Sequence, residues 1–154
     1  MTDIQNPLHD SAFMQAFLDV VIPPSGDGKM PGAGSLGLGA TVAAALEGDP
    51  MLGPVVMAGL QAVRDAAIAR DPGGLPGLSP DARVEVVKAQ LESQSWLMLG
   101  VARYLYPAYY QHPRVLEGLG EPPRPPFPEG YEIEATDPQL LGKLHQRRRR
   151  PSST

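Results

Sequence analysis

This sequence predicts an all-α fold: a single compact domain of five to six helices with a proline-rich extended C-terminal strap. Three observations carry that expectation. Apolar residues recur at three- and four-residue spacing over most of the first 119 positions, the period of a helix with one buried face. No stretch alternates with period two, and no hairpin signal or internal repeat is present. Between Glu121 and Gly130 five residues are proline, namely Pro122, Pro123, Pro125, Pro126 and Pro128. Proline fixes φ and has no N–H, so that run is neither helix nor central strand. Extended near polyproline II, it has little conformational entropy to lose on docking.

Asp10 or Ser11 caps a first helix that runs to about Ile22, with Phe13, Met14, Phe17, Leu18 and Val21 on one face and Pro23-Pro24 as its stop. Residues 25–39 form a loop of glycine, serine and proline. A second helix spans about Gly37 to Glu47 and carries Leu38, Val42, Ala45 and Leu46. Gly48-Asp49-Pro50 ends it. The third runs from about Leu52 to Arg70, with Pro54 in its first turn and Val56, Leu60, Val63 and Ala67 as its buried stripe. A break follows at residues 71–77. Ser79-Pro80-Asp81 is a strong helix start, a cap followed by proline at N1 and an acid in the first turn. That fourth helix places Val84, Val87 and Leu91 inward. It continues, or bends near residues 93–95, into a segment Trp96 to Tyr106, apolar on most sides and so expected at the centre, which Pro107 stops. A short helix, Pro113 to Leu119, ends at Gly118 or Gly120. The strap covers residues 121–138, a short segment lies around Leu140 to Leu144, and the helical domain closes near residue 145. Residues 146–154 are a basic tail.

The 154 residues make one ordinary domain, long enough to bury a core without covalent staples. There is no cysteine, which excludes disulfides, thiolate metal sites and cysteine nucleophiles. Residues 1–142 hold all 17 acidic residues and only 8 of the 13 basic ones, so the body is acidic and the end is basic. An acidic body argues against a nucleic-acid surface on the folded part. No apolar run is expected to approach the length of a membrane span, and MTDIQNPLHD has neither the basic nor the apolar region of a secretory signal, so a cytoplasmic location is expected.

Chemistry-bearing patterns are sparse. Gly32, Gly34 and Gly37 spell GxGxxG, but that fingerprint needs a strand ending at its first glycine, and nine loop residues separate Ile22 from Gly32. A turn entering the next helix is the better reading. His9, His112 and His145 do not pair with one another at helical metal-site spacing, and His112, before a proline, reads as surface or cap. Glu47 with Asp49 and Glu132 with Glu134 lie in polar segments rather than a shaped cleft. No serine lies in a GxSxG elbow, and no nucleophile–base set is visible. No catalytic, cofactor-binding or metal-ligating residues are therefore assigned. Trp96, Tyr104, Tyr106, Tyr109 and Tyr110 read either as core or as a binding face. Tyrosines beside a proline strap are what interfaces enrich, which makes Tyr109, Tyr110, Phe127 and Tyr131 candidate partner contacts. Arg114 and Arg124 flank them and meet either a carboxylate of the body or a partner.

The segments YYQHPRVLEGLG (109–120), PPFPEGYE (125–132) and DPQLL (137–141) together resemble the gluconate 2-dehydrogenase subunit 3 family. LDVVIPPSGDGKMPGAGSLG (18–37) is similar to the same family's opening helix, its IP turn and its PGA loop. The two matches bracket residues 11 to 145. The resemblance implies a non-catalytic small subunit beside a large flavin-dependent dehydrogenase of the glucose-methanol-choline type acting on a sugar or polyol. FAD is then on the partner and absent from this chain. Members of that family often begin with a twin-arginine export signal, which MTDIQNPLHD does not resemble; export on a partner's signal stays open. The rival reading is a stand-alone helical binding or self-assembling module without a dehydrogenase partner.

Overall fold

A computed structural model describes residues 6–124. The proline strap from residue 125 onward, the segment around residues 140–144 and the basic tail lie outside the described residues. Within them the chain is all-α, with no strand. A 3₁₀ turn at Pro7–His9 leads into α1 (Ser11–Val21), and a second 3₁₀ turn at Gly34–Leu36 leads into α2 (Gly39–Glu47). Then follow α3 (Leu52–Arg70), the single-turn α4 (Gly74–Gly77), α5 (Pro80–Ser93), α6 (Ser95–Tyr110) and α7 (Pro113–Leu119). The five to six expected helices become seven because the break after α3 contains the one turn of α4, and because α5 and α6 separate at Gln94.

Side chains at the helix ends explain most boundaries. Asp10, not Ser11, caps α1, its carboxylate accepting from the Phe13 N–H at 3.0 Å. Asp49 does the same for α3, accepting from the Met51 and Leu52 N–H groups at 2.9 Å each. Ser79 accepts from Ala82 N–H at 3.4 Å. His112 caps α7 with its Nδ1 accepting from Arg114 N–H at 3.3 Å. Gly120, in the left-handed region with φ 81°, ends α7. There the Glu121 N–H reaches Leu116 O at 2.8 Å and the Gly120 N–H reaches Glu117 O at 3.0 Å, the paired bonds of a Schellman turn.

Pro107 does not stop α6. It sits in the last full turn, on the solvent side, where its missing N–H removes only the bond to the Arg103 carbonyl. Three more residues stay helical because Tyr109 beyond it is drawn into the core.

Phe13, Phe17, Leu18, Val42, Leu46, Val56, Leu60, Val63, Leu97, Val101, Leu105 and Tyr109 are buried together in one core. α3 is its spine, packed against α4, α5 and α6, with α1 and α2 closing the other side. Contrary to the expectation that no run approaches the length of a membrane span, α3 is by length and composition long and apolar enough to cross one, with mean hydropathy 1.2. In this structure its apolar stripe is used on neighbouring helices, and Arg64 on it lies 3.7 Å from Asp10. On α5 the buried pair is Val86 and Val87; Val84, expected inward, is half exposed. Packing of α5 on α3 selects which valines point in, and the charged face of the helix is left outward, where Glu85 meets Arg70 of α3 at 2.9 Å.

Candidate docking face

α3 and α6 run antiparallel and touch through glycine. A Cβ at Gly100 would run into the Val56 side chain, and one at Gly59 would lie 2.9 Å from a Leu97 methyl. Close backbone approach fixes the rotation of α6 about its axis. Leu97, Gly100, Val101, Leu105 and Tyr109 then face inward. At the end of the seam, Tyr104 donates its hydroxyl to Asp49 at 2.6 Å, tying α6 to the cap of α3.

That rotation turns Trp96, Leu99, Arg103, Tyr106 and Tyr110 outward. They recur at spacings of three, four, three and four, so they line one face, in the pattern that seams two helices. Trp96 is 59% exposed, Leu99 56%, Tyr106 38% and Tyr110 51%. A row of large apolar side chains left in water makes this face a candidate interaction surface. The rings are also held in place. Tyr110 lies 6.3 Å from Tyr106 and meets Tyr109 edge-on at 5.2 Å.

Tyr109 is not part of that face. It is 2% exposed, and its hydroxyl donates to the Pro31 carbonyl at 2.8 Å. Of the six candidate partner residues, Tyr110 lies on the exposed face. Tyr109 lies beneath it as an anchor. Arg114 is exposed in the first turn of α7, and Arg124 is exposed at the end of the described chain. Phe127 and Tyr131 lie outside the described residues. Trp96, Leu99 and Tyr106 were not singled out by sequence as partner contacts. Their alternation of three and four was visible, but which face of an apolar helix stays bare depends on where α3 sits.

Of the segments that carry the family resemblance, residues 18–37 and 109–120 are described, and these two meet in space. Besides the Tyr109–Pro31 bond, a side chain at Gly118 would strike the Lys29 carbonyl and the Met30 sulfur, so α7 lies directly on the loop. The loop is tied down from the other side as well. Ala33 N–H reaches Ile22 O at 3.0 Å, Ser25 and Met30 bond each other, and Gly34 N–H donates to the Asp19 carboxylate at 2.8 Å. A Cβ at Gly34 would strike the Gln15 carbonyl. This explains the GxGxxG pattern without a phosphate: the Gly34 N–H is occupied by the Asp19 carboxylate, Gly32 and Gly34 pack closely on α1, and Gly37, with open space around it, takes a left-handed φ of 68°.

A cavity of about 450 Å³ lies between the first 3₁₀ turn, α1 and α2, with Leu8, Met14 and Ala43 among its walls. At its rim His9 Nε2 lies 2.7 Å from Glu47 Oε1, both side chains nearly half exposed. Ser11 also lines it but makes no hydrogen bond to His9, so no nucleophile is coupled to that base. Among the described residues no group of three His, Asp or Glu is placed to hold a metal ion.

The Asp49 carboxylate at the end of the α3–α6 seam bears on pH. The Tyr104 hydroxyl, then the Leu52 N–H, then the Met51 N–H and the nearby Arg103 charge hold the Asp49 carboxyl below its ordinary range against slight desolvation. A carboxyl depressed in the fold contributes stability above its unfolded pKa and loses it as pH falls through the folded value. Tyr104→Phe therefore flattens the acid limb of a melting-temperature profile below about pH 5, and the wild type falls more steeply. Equal acid slopes would contradict the assignment.

Compared with family models, with curated proteins and with solved structures, the chain matches none.

Proposed function

We propose that this chain is the non-catalytic small subunit of a large FAD-dependent sugar or polyol dehydrogenase, and that it binds and stabilises that partner through the outward face of α6. The observation that carries the docking role is the exposed row Trp96, Leu99, Tyr106 and Tyr110, held by the buried Tyr109. The dehydrogenase partner rests on the sequence resemblance. The packing of residues 109–120 onto residues 29–31 supports it, because the two resembling segments form one structural unit. Trp and Tyr on a rigid helix are what interface hot spots favour, since little side-chain entropy remains to be lost. A partner that binds only the folded state also stabilises it by mass action.

The test is purification of the tagged chain from its native cell with the absorbance of the eluate scanned for flavin. A stoichiometric flavoprotein is expected. Trp96→Ala with Leu99→Ala should weaken its retention about hundredfold, as loss of two hot-spot contacts does, while the melting temperature barely changes. A colourless homo-oligomer would overturn the reading in favour of a self-assembling module.

A further inference from the structure

Arg103 stands third of the five residues on the α6 face. It is the only Lys, Arg, Asp or Glu between Glu92 and Arg114. Its guanidinium lies over the Tyr104 ring, 5.8 Å from the centroid, and no carboxylate among the described residues lies within 4 Å of it. Asp49 is the acid that feels its charge, but that carboxylate already accepts from the Tyr104 hydroxyl and from two backbone N–H groups. Any surface that keeps water from Leu99 and Tyr106 also strips water from the guanidinium between them. A desolvated guanidinium without a carboxylate opposes binding more than the flanking apolar contacts favour it.

Charge opposes the in-register pairing of two copies. A second copy laid antiparallel on the row pairs Trp96 with Tyr110 and Leu99 with Tyr106, and brings Arg103 onto Arg103. Laid parallel, every residue meets its own copy, and Arg103 again meets Arg103. Both arrangements bury two like charges at the centre of the contact, a repulsive element of the kind that sets specificity.

Resting on the docking role assigned to α6 above, we propose that this face is closed to a second copy of the chain and fits a different protein, whose docking surface is apolar with a carboxylate opposite Arg103. On the dehydrogenase reading that carboxylate is an Asp or Glu on the surface of the large subunit. Arg103 then works twice, as the partner's charge mate and as the block to self-pairing.

Sedimentation of the full chain across the micromolar range tests the block. The wild type is expected to be monomeric. Arg103→Leu makes the row continuously apolar and should self-associate at least about tenfold more tightly, and adding Leu99→Asp should return it to monomer. A wild-type dimer that Leu99→Asp dissolves would overturn the proposal, as would an Arg103→Leu variant that melts normally yet stays monomeric. Flavoprotein capture tests the carboxylate. Arg103→Lys should retain most of the flavin, and Arg103→Glu should lose about tenfold or more of the affinity. Capture undiminished by Arg103→Glu but abolished by Trp96→Ala with Leu99→Ala overturns the carboxylate and leaves the docking role standing. Capture that survives both variants removes the docking role itself, and this proposal with it.

Discussion

Tyr109→Ala is expected to destabilise the chain by about 3–5 kcal/mol, the usual consequence of truncating a buried aromatic residue to alanine. The adjacent Tyr110→Ala should cost less than about 1 kcal/mol, because only its edge contact with Tyr109 is lost and half of its surface already faces water. Small domains hold about 5–15 kcal/mol in total, so the first variant approaches unfolding and the second does not. The large effect has two parts. The ring leaves a hole in a core that includes Leu105 and Val115, and the Pro31 carbonyl loses the hydroxyl that satisfies it at 2.8 Å. Tyr109→Phe separates them, removing only the hydrogen bond for about 1–2 kcal/mol. Burial, and then the neighbouring Tyr110, push the Tyr109 hydroxyl above its ordinary range. Its contribution is therefore complete below the unfolded tyrosine pKa of about 10 and is lost as pH rises through the folded value. Urea melts of the three variants check the order; equal effects at positions 109 and 110 would contradict it.

Gly100→Val should cost about 3 kcal/mol, at the upper end of what forced overpacking does. Its Cβ alone would run into Val56, a β-branched and fully buried side chain that has little freedom to yield. The remaining relief is for α6 to move away from α3, which opens the buried seam and pulls Tyr104 from Asp49. Gly100→Ala is milder, since alanine recovers up to about 1 kcal/mol of helix propensity against the same clash. The seam also orients the exposed row, so on the proposed function a folded Gly100→Ala chain should capture the flavoprotein less tightly although it alters no exposed side chain. Melts and flavoprotein capture on one preparation test both statements.

Much of this architecture was legible because caps and periodicity are local. Ser79-Pro80 and the stripe Val56, Leu60, Val63 and Ala67 need no knowledge of the rest of the chain. What was not legible depends on neighbours distant in sequence. Pro107 reads as a stop by local rules, yet the burial of Tyr109 keeps the helix going past it. Tyr109 and Tyr110 are indistinguishable by composition, and the Pro31 carbonyl, 78 positions away, decides which of them is core. Val84 and Val86 fit equally short apolar spacings, and the packing of α5 on α3 chooses between them. The proposed docking face is a remainder, the side of an apolar helix that the antiparallel glycine contact with α3 leaves uncovered.

The most direct measurement of that face is site-specific photo-cross-linking in the native cell, with a photoreactive phenylalanine analogue placed at Leu99 in one chain and at the comparably exposed Val84 on α5 in another. A single large adduct, containing a flavoprotein, is expected from Leu99 and none from Val84. An adduct of twice the chain's own mass at Leu99, or equal capture of the flavoprotein from both positions, would contradict the proposed docking role.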